Sequence, residues 1–286
     1  MPCSTRGSAM AALRGGRRPG AVLACALVWL VLIGCAAIFA NLLPLPSPTE
    51  MDLLGKRALP DAQHWLGNDQ LGRDMLSRLI HGARISLSVG LLAPVIGVTV
   101  GGALGMLAGY FRGPLETLTV GGVDVLLAFP PLVFALAVTT YLGQSVLNLI
   151  LVIGILGIPA FTRVARAVTL SLTEREFVVA ARALGATHSR ILLREILPNV
   201  ALPLTAFFLL GVAVTIVVEG ALSFLGLGVP PPAPSWGSMI GEGRESLDLA
   251  PWLAFLPAVV MFMTVLAFNV VGDSLRALTD PRPGAL

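Results

Sequence analysis

Charged residues are scarce in this chain. Aspartate, glutamate, lysine and arginine make up 12% of its 286 residues, and hydrophobic residues make up 56%, whereas soluble domains are about a quarter charged. This composition excludes an ordinary soluble enzyme or binding domain and predicts a membrane protein. The net charge of +3 does not indicate a nucleic-acid partner, because the arginines lie between apolar stretches and form no basic patch with aromatic residues.

Cysteine, histidine and lysine are rare, and each shortage excludes a kind of site. The three cysteines, Cys3, Cys25 and Cys35, give no even set for a disulfide framework. The three histidines lack the spacing of metal ligands. Lys56 is the single lysine and does not follow G-x-x-x-x-G, so the chain has no phosphate-binding loop. We therefore expect no metal, no cofactor and no ATP hydrolysis by this chain.

Long apolar runs predict an all-helical protein that crosses the membrane six times. A helix needs about 20 mostly apolar residues to cross the hydrocarbon, because its backbone must be satisfied internally. The uncharged stretch 125–162 is too long for one crossing, and its polar break at Gly143 to Ser145 divides it. The predicted spans are 21–40, a helix within 85–111, 118–141, 146–161, a helix within 196–224, and 251–271.

The basic residues predict the orientation of the spans. With the amino terminus inside, 13 of the 19 lysines and arginines fall on the cytoplasmic side, so the positive-inside rule places both termini in the cytoplasm. Cleavage at Cys35, as in a lipoprotein signal, is a rival interpretation, but the apolar run continues to Leu43 and favours a retained span. The predicted parts are a cytoplasmic tail 1–20, a first transmembrane helix 21–43, an extracytoplasmic loop 44–84, a helical core 85–275 with a cytoplasmic segment 163–198, and a cytoplasmic tail 276–286.

One charged segment, "EFVVAARALGATHSRILLREILPNV" at residues 176–200, interrupts the apolar runs on the predicted cytoplasmic side. Phe177, Ala181 and Leu184 fall at i, i+4 and i+7, which predicts a short amphipathic helix. Gly185 ends this helix, because glycine adopts the left-handed cap conformation without a side-chain penalty. The segment is therefore predicted to be a helix, a glycine turn and a second helix.

The second helix is predicted to start at Thr187, whose hydroxyl can cap it, with Arg190 and Arg194 on one face. Two interpretations of the whole segment remain open. It can lie on the bilayer with its arginines toward lipid phosphate. Alternatively it docks into the groove of a partner protein, which the small Ala180, Ala181 and Ala183 would let approach closely.

The same segment resembles the cytoplasmic signature of permease subunits of ATP-binding-cassette (ABC) importers, E-A-A, three residues, G, nine residues, I-x-L-P. The matching positions are Val179-Ala180-Ala181, Gly185 and Leu197-Pro198. Val179 replaces the family's glutamate, and Glu195 replaces its isoleucine. The longer strings "AARALGA" and "RILLREILPN" resemble the dipeptide and oligopeptide branch.

Further stretches resemble the C-type permease of that branch, and together they extend from about residue 20 to 282. They are "LGNDQLGRDMLSRLIHGARISLSVG" at 66–90, "VDVLLAFP" at 123–130, "EGALSFLGLGVPPPAPSWGSMI" at 219–240, and "GDSLRALTDPR" near the end. Asn68 stands where the family has threonine, and Gly121 stands where it often has arginine.

The resemblance implies the type I ABC importer transmembrane-domain fold, in a bacterial plasma membrane. Its partners would be a homologous second permease, two ABC ATPase subunits that use ATP, and an extracytoplasmic binding protein that delivers dipeptides or oligopeptides. The charged segment would be the helix that couples to the ATPase, and its implied residues are Glu176, Phe177, Ala180, Ala181, Arg182, Ala183, Leu184, Gly185, Ala186, Arg190, Leu197 and Pro198. Uptake of nickel chelates or another small solute is the alternative within the family. A self-powered secondary transporter is less favoured, because no internal repeat is visible.

Three residues are candidates for the translocation path or its gate. Asp124 and Glu219 fall inside predicted spans, where an acid costs about 2.5 to 3.5 kcal/mol near a helix centre. Each can instead make a hydrogen bond between helices. Trp236 follows the stiff "PPPAPS" run of the outer loop 229–250 and is expected to offer a contact surface to the binding protein or to the gate.

Glycines recur at every fourth position of "GVTVGGALGMLAGY". Gly101, Gly105 and Gly109 therefore share one face of a helix. We expect this face to pack closely on a neighbouring helix.

Overall fold

The computed structural model describes residues 19–279, which fold into helices joined by loops. Most of the two predicted cytoplasmic tails, 1–20 and 276–286, lies outside the described residues, and so does Cys3. The helices are α1 (Pro19–Ile38), α2 (Met75–Phe111), α3 (Gly113–Ala128), α4 (Pro131–Leu142), α5 (Val146–Thr173), α6 (Glu176–Ala183), α7 (His188–Phe224), α8 (Trp236–Arg244) and α9 (Trp252–Thr279). A π-helical turn interrupts α2 at Gly97–Gly101 and α7 at Ile191–Ile196.

Within residues 19–279, five helices are long and apolar enough to cross a membrane, namely α1, α2, α5, α7 and α9. The pair α3 and α4 makes a sixth span if the two are counted together. The prediction of an all-helical polytopic protein is therefore confirmed, and the prediction of six spans holds with this bent pair as one of them.

The third span is not the single helix predicted at 118–141. Helices α3 and α4 meet at an angle of 83°. Phe129 between them is extended, with φ −83° and ψ 129°, because the following Pro130 disfavours helical geometry at the residue before it. Pro131 then occupies the first position of α4, where the missing N–H costs nothing.

Several helices extend beyond the apolar stretches that predicted them, and α9, which ends at Thr279, is one of these. Helix α2 begins at Met75, inside the predicted loop 44–84, and the carboxylate of Asp74 caps it by accepting from Ser77 N at 2.6 Å. Helix α5 continues to Thr173, and α7 starts at His188. Hydropathy marks only the lipid-buried part of a helix, and the polar ends continue where water or partner side chains satisfy them.

The glycine stripe of α2 packs on α5, as the sequence predicts. A Cβ atom at Gly101 would lie 2.6 Å from Ile158 O, and one at Gly109 would lie 2.9 Å from Arg166 O. A side chain at either position would collide with the backbone of α5. Close approach of the two helices therefore depends on these glycines.

The spans place two clusters of loops at opposite ends of the bundle. We call the end that holds the starts of α2, α5 and α9 the Asp74 end. We call the end that holds the turn between α6 and α7 the Gly185 end. Candidate functional residues lie at both ends.

Candidate functional site

The turn at Gly185 has the hydrogen bonds of a Schellman cap. Ala186 N donates to Ala181 O at 3.0 Å, and Gly185 N donates to Arg182 O at 2.9 Å. Gly185 has φ +78°, a conformation that favours glycine. The hydroxyl of Thr187 then accepts from Arg190 N at 3.4 Å to start α7. The predicted helix, glycine turn and helix are confirmed.

Helix α6 is anchored to the bundle through one side. Val178 is fully buried, in a cluster with Phe161 of α5 and Ile191 and Ile196 of α7. Ala181 is partly buried against the same cluster. This contact fixes the orientation of α6 relative to the spans.

The rest of the apolar surface of α6 is exposed. Leu184 is 89% exposed and Phe177 is 40% exposed, and Ala180 lies between them on the helix surface. The sequence placed Phe177, Ala181 and Leu184 on one common face, and this detail is wrong for Ala181. Burial of Val178 rotates α6 so that Ala181 turns toward the bundle while the other two turn away.

Polar contacts join α6 and its turn to the end of α2. The hydroxyl of Tyr110 lies 2.8 Å from His188 Nδ1. The guanidinium of Arg182 lies 5.5 Å from the centre of the Tyr110 ring, within the range of a cation–π interaction. Because Tyr110 is 78 positions from His188 in the chain, no local sequence signal could have shown this contact.

Of the twelve residues assigned to the coupling segment, all except Ala181 and Ala186 are exposed. Arg190 is exposed on the first turn of α7, and Leu197 and Pro198 are exposed farther along it. The Gly185 end thus presents exposed apolar and basic side chains on α6, on its turn and on the first part of α7.

Asp124 makes a hydrogen bond between helices, as the alternative interpretation of this residue expected, but the sequence did not predict its partner. Arg163 Nη2 of α5 lies 2.8 Å from Asp124 Oδ1 of α3. A second pair joins the same helices, where Arg166 Nε donates to Glu116 Oε1 at 2.8 Å. The side chains of Arg163 and Asp124 are 61% and 56% exposed, so this pair lies on the surface of the isolated chain.

Glu219 is fully buried at the Asp74 end. Ser86 Oγ donates to its Oε2 at 2.8 Å, and Ser223 Oγ donates to its Oε1 at 2.6 Å. Ser86 also accepts from the backbone N of Trp236 at 3.2 Å. Glu219 and Trp236 are therefore brought together, and Asp124 is not part of this group.

Trp236 does not present the contact surface expected from the sequence, because its side chain is fully buried. Its indole Nε1 donates to Leu79 O at 3.1 Å. Ser235 caps α8 directly before it, and the first turn of this helix packs onto α2. A sequence without tertiary contacts cannot distinguish an exposed loop tryptophan from an anchor of this kind.

A buried charge network at the Asp74 end joins the loop before α2 to α8. Arg73 Nε lies 2.6 Å from Asp69 Oδ2, and Arg73 Nη2 lies 2.6 Å from Glu242 Oε2. Arg78 Nη2 lies 2.9 Å from the same Glu242 oxygen. Arg73 and Arg78 are 2% and 1% exposed. We call these four residues the Arg73–Glu242 network; the sequence showed the "GRD" stretch but not its partner in α8.

Comparison with known proteins gives one family. Residues 101–284 match the family described as binding-protein-dependent transport system inner membrane component. The glutathione transport system permease protein GsiD of Pectobacterium atrosepticum is 39% identical over 265 residues, covering 93% of this chain and 88% of that protein. GsiD of Escherichia coli O1:K1 is 42% identical over 258 residues, covering 90% of this chain and 85% of that protein.

A solved structure has the same fold at low identity. Inward-facing MetNI, a methionine ABC transporter, matches with a TM-score of 0.58 and 17% identity. The match covers 72% of this chain and 98% of the MetNI chain. At this identity the likeness concerns the fold alone.

Proposed function

The chain belongs to the binding-protein-dependent transport system inner membrane component family, and from this premise we propose how it works. It is a membrane-spanning permease subunit of an ABC importer. With a homologous second permease, two ABC ATPase subunits and an external binding protein, it forms the path for peptides. Its relatives named for glutathione transport favour short peptides, of which glutathione is one, over nickel chelates.

The exposed surface of α6 carries the proposal for coupling. Phe177 and Leu184 are apolar and exposed, yet Val178 holds the helix firmly against the bundle. A rigid helix with an unpartnered apolar surface fits a groove on another protein. We assign this groove to the ATPase, so that movement of the ATPase is transmitted through α6 and the Gly185 turn to α7.

This assignment requires the Gly185 end to face the cytoplasm. The excess of arginine near this end supports that orientation by the positive-inside rule. The Asp74 end, with Lys56 and the Arg73–Glu242 network, then faces outward, and both chain termini lie inside.

The ion pair of Asp124 supports a water-filled path beside α3 and α5. Asp124 lies 11 residues into α3, roughly 16 Å along the helix axis. Charges at such a depth are costly against lipid, and both members of the pair are more than half exposed. We propose that water in the path, and not hydrocarbon, covers Arg163 and Asp124.

Glu219 and Trp236 are proposed to support the outer gate. Through Ser86 they tie α7 and α8 to α2. Movement of α7 during transport would therefore carry α8 with it and change the outer opening between the two permeases.

Reconstitution tests the proposed function. The chain is co-purified with its second permease and ATPases and placed in proteoliposomes that contain ATP. We expect uptake of labelled glutathione or a tripeptide only when the binding protein is present outside. An ATPase whose phosphate-binding lysine is replaced serves as the inactive control.

Two results would change the assignment. Uptake that continues without ATP and without the binding protein would indicate a secondary transporter. Uptake of a nickel chelate with no competition from peptides would identify the other substrate class.

A further inference from the structure

A polar cavity lies at the Asp74 end, next to the Arg73–Glu242 network. Its volume is about 330 Å³, at the lower end of the range for small-molecule sites. The turn between α4 and α5, the loop between α7 and α8, and α8 itself surround it. Its polar side chains include Gln70, Gln144, Ser238, Glu242, Arg244 and Glu245.

The cavity contains side chains of both signs that can bind a ligand. Oxygen Oε2 of Glu242 accepts hydrogen bonds from Arg73 and Arg78, the two buried arginines. Its Oε1 has no hydrogen-bond partner among residues 19–279. Glu245 adds a second carboxylate to the lining. The guanidinium of Arg244 lies 5.3 Å from the centre of the Phe224 ring. The ring therefore holds the Arg244 side chain at the wall of the cavity, and the N–H groups of the guanidinium remain exposed.

Amide groups complete the lining. Gln144 Nε2 donates to Gly226 O at 2.8 Å, which orients the side chain. Its carbonyl oxygen has no partner in the described part of the chain and is left to accept from a peptide N–H. An arginine, free carboxylate oxygens and an oriented amide together match the carboxylate, ammonium and backbone of a short peptide.

We propose that this cavity is a binding site for a zwitterionic short peptide, occupied after the binding protein releases it and before it enters the path. Arg244 binds the peptide carboxylate, and Glu242 with Glu245 binds its ammonium group. The inference rests on the proposed importer function and adds a site within this chain. A docking surface for the binding protein is the competing explanation, and the experiment separates the two.

The experiment measures protection of a cysteine in the cavity. Ala233 lines the cavity, and Ala233→Cys is made in a chain whose Cys3, Cys25 and Cys35 are replaced by alanine. The assembled transporter in nanodiscs, without binding protein, is labelled with a membrane-impermeant maleimide. We expect a free tripeptide to slow the labelling at least fivefold at saturation, and Leu249→Cys, which is exposed outside the cavity, to label at an unchanged rate.

Peptide chemistry then tests Arg244. We expect amidation of the carboxyl terminus to raise the half-protecting concentration by about tenfold, as loss of a charge-assisted hydrogen bond predicts. Arg244→Gln should raise the half-protecting concentration of the free peptide by a similar factor and leave that of the amidated peptide unchanged. Arg84→Gln removes an exposed arginine from the same end and should change neither.

Three outcomes would overturn the inference: labelling that is indifferent to peptide, equal effects of Arg244→Gln on free and amidated peptides, or protection by ligand-free binding protein but not by peptide. The last would identify a docking surface. Each can occur while the reconstituted transporter still imports peptide. The experiment can therefore reject the binding site in the cavity without rejecting the proposed importer function.

Discussion

Gly185 is constrained by backbone conformation and not by space. Its φ is +78°, yet a Cβ atom there would meet nothing within 4 Å. A side chain therefore costs about 1 to 2 kcal/mol of backbone strain, and a β-branched one costs more. That energy is too small to unfold the packed spans, but it is enough to redirect the chain between α6 and α7.

We predict that Gly185→Val inserts at near-normal levels and abolishes uptake, because Phe177 and Leu184 would no longer be aligned with the ATPase groove. Gly185→Ala should have a smaller effect. Membrane abundance, co-purification of the ATPase and peptide uptake are compared in each variant.

Gly143 provides a control at the other end of the bundle, because it also has a positive φ, +81°, and open space around its Cβ position. It lies at the opposite end, so Gly143→Val should keep the ATPase bound. Val179→Glu, which restores the family's residue at a position 54% exposed, should be tolerated. Coupled uptake by Gly185→Val at the parent rate would contradict the assignment of this segment as the one that couples the ATPase to the spans.

Glu219 is predicted to stabilise the Asp74 end. Glu219→Ala would leave the hydroxyls of Ser86 and Ser223 without their acceptor and create a cavity, and we expect a loss on the order of 3 kcal/mol. Glu219→Gln keeps the volume and one acceptor oxygen and should lose much less. Thermal unfolding of the purified complex measures both, and equal losses in the two variants would contradict the hydrogen-bonding role.

At the scale of the elements, contacts with α8 help to hold the loop between α1 and α2 in place. Arg57 N donates to Asp69 O at 2.9 Å, and Asp69 binds Arg73 of the Arg73–Glu242 network. The carboxyl-terminal part of the loop is thus tied to α8 through Glu242, the one carboxylate that contacts both Arg73 and Arg78 from that helix.

We predict that Glu242→Gln loosens this loop, because it leaves two buried arginines without part of their countercharge. The exposed Lys56 is the single lysine of the chain, so a lysine-specific protease reports on the loop alone. The initial cleavage rate should rise by roughly tenfold or more. Asp248→Asn removes an exposed acid from the same end and should cleave at the parent rate; an unchanged rate in Glu242→Gln would refute the dependence.

The sequence predicted the elements with local signals and missed those with distant causes. Thr187 and Gly185 revealed the coupling turn because capping is decided by neighbouring residues. The bend at Phe129 also has a local cause, Pro130. It was not predicted, because the uncharged stretch around it was interpreted from hydropathy alone. The partners of Asp124 and Trp236 could not be predicted, because Arg163 and Leu79 approach them only after the helices pack.

At the scale of the whole molecule, orientation is the property to test. We predict that the lysine-specific protease cuts the chain at Lys56 in intact spheroplasts, because the Asp74 end faces outward. In sealed inverted vesicles Lys56 should be protected until detergent is added. A fragment pattern with the opposite sidedness would place the Gly185 end outside, where no ATPase could reach it.

The length of α7 has a mechanical consequence. Its 37 residues from His188 to Phe224 make a rod about 55 Å long. If the rod pivots as a lever near its Gly185 end, a tilt of about 10° displaces the far end by roughly 10 Å. Glu219 lies near that far end. A small stroke at the start of α7 is thus amplified across the bilayer, and bending at the π-helical turn Ile191–Ile196 and at Pro203 sets how much of the stroke arrives.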